Sequence, residues 1–398
     1  MANTPSRRAV VTALGVVQIL CWGTSFYFPA VFAGPIVADT GWSLGLVVGG
    51  VSTGLLVAGL ISPKVGRLVE EHGGRPVLLA SACLYAAGLA IVGLAPAVPY
   101  YLLGWAIVGL GMGSGLYDAV FAALGRLYGS EARGPITSLT LFGGFASTIC
   151  WPLSAFMIEA VGWRSACLIY AGLHLVLAFP LHAFAMRAQP SKLPRAGDTL
   201  AARTDQVRPL PREGLILVTL ALILTIAAGI GAIAIVHMMI FLQARGLDFA
   251  AAVALATVFG PAQVGARVVE RVFGDRYHPL WTLATSGALM VAGLVVLTSG
   301  LLAPVIFIIP FGAGYGISWV ARGTVPLALF GPARFPRLIG RLAFPSLIVQ
   351  ALSPSAGALL IERLGVDTTI GVLTALAAVN VVLIAVLWSL CRPQVAGR

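Results

Sequence analysis

Charge is scarce in this sequence. Only 10% of its 398 residues are Asp, Glu, Lys or Arg, and the 14 acids are outnumbered by 25 Lys and Arg. A water-exposed globular surface needs more charge than that. With 59% hydrophobic residues and a mean hydropathy of +0.97, a soluble domain is excluded and an integral membrane protein is expected. The five cysteines, Cys21, Cys83, Cys150, Cys167 and Cys391, share no spacing, so neither a disulfide framework nor a thiolate metal site is expected. A phosphate-cradling loop is lacking too. The glycines of GLGMGSG, 109–115, do not form G-x-G-x-x-G, and they fall inside an apolar run. Gly109 with Gly113 and Gly111 with Gly115 have the small-xxx-small spacing of closely packed helices instead. No nucleophile triad or metal-spaced cluster supports an enzyme, no cofactor is expected, and ATP is not expected to drive the protein directly.

What the sequence does have is long apolar runs, each able as a helix to cross ~30 Å of hydrocarbon. Twelve recur: 10–33, 43–62, 77–96, 100–123, 136–158, 165–186, 215–242, 249–266, 280–300, 303–329, 341–361 and 369–391. They are spans 1 to 12 below. The cations decide their orientation, because Lys and Arg are retained on the cytoplasmic side during insertion. All 25 fall in the two tails and the even-numbered loops except Arg164, Arg245 and Arg363, in the opposite loops, and Arg322, inside span 10. The expected fold is therefore all-α, with twelve transmembrane helices and both termini cytoplasmic, in a cell inner membrane. The net charge of +11 is dispersed over short loops without interleaved aromatics, so no nucleic-acid partner is expected. The lipid bilayer is the expected surrounding, and a monomer the expected state.

The one long polar stretch, 187–214, is rich in Arg and Pro and reads as a cytoplasmic linker between a bundle of six spans at 1–186 and another at 215–398. The halves repeat. GRLVEEHGGR at 66–75 aligns with ARVVERVFGD at 266–275 at offset 200, GMGSG at 111–115 with GAGYG at 312–316 at offset 201, and IEAVG at 158–162 with IERLG at 361–365 at offset 203. Two six-helix halves with a basic loop between spans 2 and 3 resemble the major facilitator superfamily over nearly the whole chain. That family's loop pattern, roughly G-x-L-x-D-R-x-G-R-R, is matched by Gly66, Leu68, Gly73 and Arg75, with Glu70 where Asp is usual and Glu71 where Arg is usual. The resemblance implies two pseudo-symmetric bundles that expose a midplane site alternately to either side. It also implies a gating role for Gly66, Arg67, Glu70, Gly74 and Arg75, and by the repeat for Arg267 and Glu270. Solvation of an ordinary loop is the rival explanation of these charges.

In that family the first and fourth spans of each half line the cavity. Span 4 carries Ser114, Tyr117 and Asp118, and span 10 carries Tyr315, Ser318, Trp319 and Arg322, each set at one-face spacing. At offset 201, Ser114 pairs with Tyr315, Tyr117 with Ser318 and Asp118 with Trp319. Span 1 adds Gln18, Trp22 and Ser25, with Tyr27 beyond; span 7 adds Thr219, Thr225 and His237. His237 is weighed against a packed or interfacial histidine, and His174 and His182, in span 6, are taken as structural.

Asp118 and Arg322 are the only acid and the only cation well inside any span. Either one facing lipid costs about 2.5–3.5 kcal/mol on insertion scales, so both are expected to face protein or water. Arg322 could bind an anionic group while Asp118 accepts a proton, or the two could close a gate. Snorkelling of Arg322 and an interfacial Asp118 are the alternatives.

Trp105 stands near the arginine usual in drug exporters of the family, and span 5 offers only Gly143 and Gly144 with a distant Pro152. The loop and the intramembrane arginine are instead similar to the monocarboxylate and oxalate-formate branch, although the span 1 lysine common among proton-coupled carriers is missing. The expected function is secondary transport of a small organic anion of the monocarboxylate kind, with protons as a candidate coupling ion in symport. An exporter of amphipathic or toxic compounds and a non-transporting membrane receptor or assembly factor are the alternatives.

Overall fold

A computed structural model describes residues 5–188, 212–300 and 305–395, and among these residues every regular element is helical. In hydrocarbon a helix is the one open-ended form that satisfies its own backbone donors and acceptors. The chain packs as two compact units, Met1–Gln206 with Phe330–Phe344, and Val207–Leu329 with Pro345–Arg398. The expected linker at 187–214 falls almost wholly outside the described residues.

The first unit contains spans 1 to 6. Span 1 is α1 (Arg7–Gly23) and α2 (Pro29–Thr40), span 2 is α3 (Leu44–His72), and span 3 is α4 (Gly74–Leu94). Span 4 is α5 (Val98–Gly115) and α6 (Tyr117–Tyr128). Spans 5 and 6 run through α7 (Arg133–Gly144), α8 (Ala146–Leu173), a π-helical turn at His174–Ala178, and α9 (Phe179–Ala185). They are divided inside α8 at Gly162, whose φ of 78° leaves the helical region. In the second unit span 7 is α10 (Glu213–Val236) and α11 (Met238–Gln243), and span 8 is α12 (Phe249–Ala256) and α13 (Phe259–Phe273). Spans 9 to 12 are α14 (Pro279–Ser299), α15 (Val305–Phe330), α16 (Phe335–Leu364) and α17 (Val366–Val395). By length and apolarity alone nine helical stretches of the described residues qualify as membrane-crossing. That total counts Val98–Ala185 once and omits span 1, whose two helices are individually short, so it agrees with twelve spans.

Several spans break where a simple apolar run gives no warning. Pro29 opens α2 and has no N–H to continue the helix from α1, so residues 24–28 form a turn. Span 7 breaks at His237, between α10 and α11.

The glycines of span 4 set the packing of the first unit. A Cβ on Gly109 would lie 2.4 Å from Gly54 O of span 2, and one on Gly113 2.8 Å from the Ile61 side chain. On Gly111 it would strike Tyr85 of span 3 at 2.9 Å, and on Gly115 Ser81 Oγ at 2.6 Å. The two small-xxx-small pairs thus serve two different neighbours, spans 2 and 3.

The same contacts correct the repeat register. In the first unit a Cβ on Gly88 would meet Gly104 O at 2.9 Å; in the second a Cβ on Gly293 would meet Phe307 O at 2.9 Å. Gly109 abuts Gly54 O, and Gly312 abuts Phe259 O. Span 4 therefore maps onto span 10 at offset 203, not 201. Asp118 corresponds to Ala321 rather than Trp319, and Trp319 corresponds to Leu116, at the α5–α6 break. The matching of Gly54 with Phe259 gives offset 205 within spans 2 and 8, against 200 in the loop motif. Span 8 therefore reaches its loop about one helical turn sooner, and Arg267 sits that much deeper than Arg67.

Gly109→Ala is expected to lower stability by about 1–3 kcal/mol, since a backbone carbonyl cannot yield to a methyl as a flexible side chain can. Gly172→Ala, with nothing within 4 Å of its Cβ, is expected to be neutral or stabilising by up to about 1 kcal/mol. Thermal unfolding of the two variants in one detergent measures the contrast.

Candidate functional site

Each unit gathers its own group of polar and aromatic side chains. In the first, Gln18 of α1 is fully buried and donates through Nε2 to Gly115 O at 2.7 Å, while its Oε1 has no hydrogen-bond partner among the described residues. Trp22, one turn on, lies 5.0 Å from the Tyr117 ring. Tyr117 stacks on Phe121 and donates to Thr140 O at 3.3 Å. That position exists because residue 143 is glycine: a Cβ there would fall 1.9 Å from the Tyr117 hydroxyl. Tyr27 stands apart, 6.4 Å from Trp22 and edge-on to Trp151, whose Nε1 donates to Tyr27 O. Ser114 turns its hydroxyl to Leu110 O of its own helix.

Asp118 differs from its expected setting. The break at Leu116 restarts the helix at Tyr117, so Asp118 occupies the first turn of α6, where the helix dipole favours a carboxylate, and it is half-exposed. Asp118 and Arg322 belong to different units.

The second unit holds the more enclosed group. Arg322 is only 5% exposed although it lies eight residues from the end of α15, and its guanidinium sits 5.4 Å from the Trp319 ring centroid. A snorkelling side chain would leave its own helix face for the interface. Trp319 meets Tyr315 edge-on at 6.1 Å, and Tyr315 stacks on Phe259 at 6.0 Å. Tyr315, Ser318, Trp319 and Arg322 share one pocket with Leu224, Ala227 and Ala228 of α10, about 280 Å³ counting its open mouth. Gly231 makes room for it, since a Cβ there would lie 2.1 Å from the Tyr315 ring. The result is one guanidinium beside two aromatic rings and small apolar side chains, an arrangement suited to a single anionic group on a largely apolar body.

His237 is not among the residues lining that pocket. It sits at the break of span 7, with Nε2 3.0 Å from Pro354 O and its ring against Gly357, the setting of a packed histidine.

The expected gating residues have distinct surroundings. In the first unit Gly66 lets Phe330–Phe344 approach: a Cβ there would lie 2.6 Å from Pro336 O, and one on Gly340 2.4 Å from Ser62 O. Arg67 and Arg75 are exposed, Gly74 opens α4, and Glu70 lies in the last turn of α3. The cation that ties this helix end down is Arg126, whose Nη1 donates to Glu70 O and, at 2.7 Å, to Val69 O, which also accepts from Gly73 N–H. Sequence reasoning had assigned Arg126 to topology alone. In the second unit Arg267 is buried, donating to Gly316 O at 2.9 Å and Gln263 Oε1 at 3.3 Å, while Glu270 accepts from Thr282 at 2.8 Å. The one-turn shift of span 8 has converted a loop cation into a brace onto spans 8 and 10. Gln350 and Asn380, buried polar residues of spans 11 and 12, were also overlooked, because isolated amides in long apolar runs carry no periodic signal.

Helices that cross a bilayer twelve times, in two units with matching internal contacts, define a polytopic α-helical membrane protein. The family model of the Major Facilitator Superfamily matches residues 14–314, and the chain belongs to that superfamily. Among curated proteins it is 26% identical over 324 residues to monocarboxylate transporter 3 of Rattus norvegicus, covering 76% of this chain and 63% of the relative. It is 33% identical over 167 residues to monocarboxylate transporter 11 of Mus musculus, covering 41% of this chain and 34% of the relative. The chain thus spans less than two thirds of the length of either. Among solved structures the human organic anion transporter MFSD10 superposes with a TM-score of 0.71 at 15% identity, covering 96% of this chain and all of that one. The proton:xylose symporter XylE gives 0.69 at 13% identity, covering 94% of each chain, and the E. coli fucose:proton symporter FucP 0.69 at 13%, covering 96% and 99%. At these identities the superpositions establish the fold.

Arg126→Gln is expected to cost about 1–2 kcal/mol through the two charge-assisted bonds it removes. Arg67→Gln, at an exposed position, is expected to stay within about 0.5 kcal/mol of the parent. Parallel thermal melts check both.

Proposed function

We propose that this chain is a secondary transporter that moves a small organic anion bearing one carboxylate across the inner membrane by alternating access, with its termini in the cytoplasm. The observation that carries this is the Arg322 pocket, where one buried guanidinium is held over Trp319 among apolar neighbours. In such a site a carboxylate gains charge-assisted, potentially bidentate bonds to the guanidinium, while its apolar remainder packs on Tyr315, Trp319 and the Ala227–Ala228 face. A second carboxylate would meet no second cation among the lining residues. Relatives named as monocarboxylate transporters and a fold neighbour named as an organic anion transporter support the same substrate class. In this proposal Gln18, Trp22 and Tyr117, with Ser114 and Tyr27 at their margin, are the first unit's own candidate binding residues. Asp118 balances charge or takes a coupling proton, as in a symporter. Gly66, Arg67, Glu70, Gly74, Arg75, Arg267 and Glu270 govern which side opens.

The test is thermal stabilisation of purified protein by a panel of monocarboxylates, each matched with its neutral amide. Ligand at tenfold its Kd stabilises the wild type by about 1.4 kcal/mol. Arg322→Ala is expected to abolish this and Arg322→Lys to retain only part of it, because a point charge replaces the planar fork. Gly231→Ala, which forces the Tyr315 ring out of place, is expected to weaken the effect without removing it. Equal stabilisation of Arg322→Ala and wild type would overturn the anion site, and equal stabilisation by the amides would favour export of amphipathic compounds.

A further inference from the structure

Two ion pairs, one in each unit, occupy matching places that the transport reading leaves unused. In the first unit Asp39 lies in the last turn of α2, and its Oδ2 accepts from Arg164 Nε at 3.3 Å and from Trp163 Nε1 at 3.0 Å. The Arg164 guanidinium sits 4.3 Å from the Trp163 ring centroid, so both donors are held toward one carboxylate oxygen. Its Nη1 also donates to Gly93 O at 3.2 Å and Ala95 O at 3.0 Å, at the C-terminal end of α4, where the helix dipole favours a cation. In the second unit Arg245, just beyond α11, donates from Nη1 to Asp367 Oδ1 at 2.5 Å. Its Nε donates to Leu297 O at 2.7 Å, in the last turn of α14.

Left-handed glycines fix the correspondence. Asp39 stands two residues before Gly41, at φ 69°, and Arg245 one residue before Gly246, at φ 85°. Arg164 stands two residues after Gly162, at φ 78°, and Asp367 two after Gly365, at φ 82°. Each pair therefore joins the end of its unit's first span to the start of its sixth, with the guanidinium also on the end of the third. The charges are exchanged between the units: the acid is on span 1 and the cation on span 6, whereas the cation is on span 7 and the acid on span 12. Attraction is the property the two places share.

Both pairs act on a segment cut off from the rest of its span. The turn at 24–28 separates α2 from α1, and the break at His237 separates α11 from α10. Past the break few side chains anchor the segment: Phe32, Ala33 and Ile36 are the buried residues of α2, with open space beside Gly34 and Gly41, and Met238, Phe241 and Leu242 those of α11. An exposed ion pair alone holds little. Here each guanidinium is also fixed to helix-end carbonyls of a third span, so it stands in place to receive the acid.

We propose that Asp39 with Arg164, and Arg245 with Asp367, are equivalent latches that hold the hinged end segments of spans 1 and 7 to their own units. Breaking a latch frees the segment beyond the break without loosening the unit.

The experiment is hydrogen–deuterium exchange of the full-length protein in one detergent, read peptide by peptide. Asp39→Asn and Asp367→Asn keep the side-chain size and remove the charge, and Asp367 is 81% exposed, so its variant is expected to fold. Each is expected to speed amide exchange about tenfold or more in its own segment, 29–40 or 238–247, and to leave α4 and α8, or α14 and α17, unchanged. Because the charges are exchanged, Arg245→Asp combined with Asp367→Arg rebuilds in the second unit the order found in the first. That double variant is expected to bring exchange of 238–247 back to within about threefold of the wild type, where Arg245→Asp alone does not. Unchanged exchange in the segment after loss of the charge, an equal rise throughout the unit, or no protection restored by the reversed pair would overturn the latches. The measurement needs no substrate, so its outcome is independent of the Arg322 pocket.

Discussion

In hydrocarbon a helix gains nothing by hiding its side chains from solvent, so helices associate by coming close enough for backbone to touch backbone. At Gly109 that approach leaves no space for a single methyl beside Gly54 O, and at Gly314 none beside Ser286 O, where a Cβ would fall 2.8 Å away. Spans 4 and 10 are each wedged by glycine between the second and third spans of their own unit. The remaining face of each span carries its aromatic and polar residues. The candidate sites thus depend on glycine: it fixes the rotation of the two helices and so decides which residues can meet a ligand.

The two units share this packing scheme but use it differently. The first places a fully buried amide, Gln18, with Trp22 and Tyr117; the second places a guanidinium with Trp319 and Tyr315. The unequal length of spans 2 and 8 extends the divergence. Arg67 lies in the open, whereas Arg267 braces Gly316 one residue after Tyr315 and thereby supports the pocket's own helix. The duplicated scaffold thus carries unlike side chains in its two units.

Most of the architecture was legible in the sequence. Apolar run lengths and the distribution of Lys and Arg define twelve spans, because the bilayer imposes one length and insertion one charge rule. The glycine pairs were legible as packing surfaces for the same reason. The breaks at 24–28, Leu116 and His237 were not, since each depends on where neighbouring helices can re-satisfy freed backbone groups. The register error of two residues came from matching Gly-x-Gly-x-Gly with itself: alternate glycines look alike in sequence, and only their contacts tell one face from the other. Arg322 stood out as the cation no loop could hold.

The central claim is that a carboxylate binds the second unit at Arg322. The most direct measurement is a structure with a halogenated monocarboxylate such as 4-iodobenzoate, whose iodine can be located independently of the protein density. The account predicts the carboxylate on the Arg322 guanidinium, with the iodinated ring against Tyr315 and Trp319. A ligand ordered elsewhere in the protein, with Arg322 still turned onto Trp319, would contradict it.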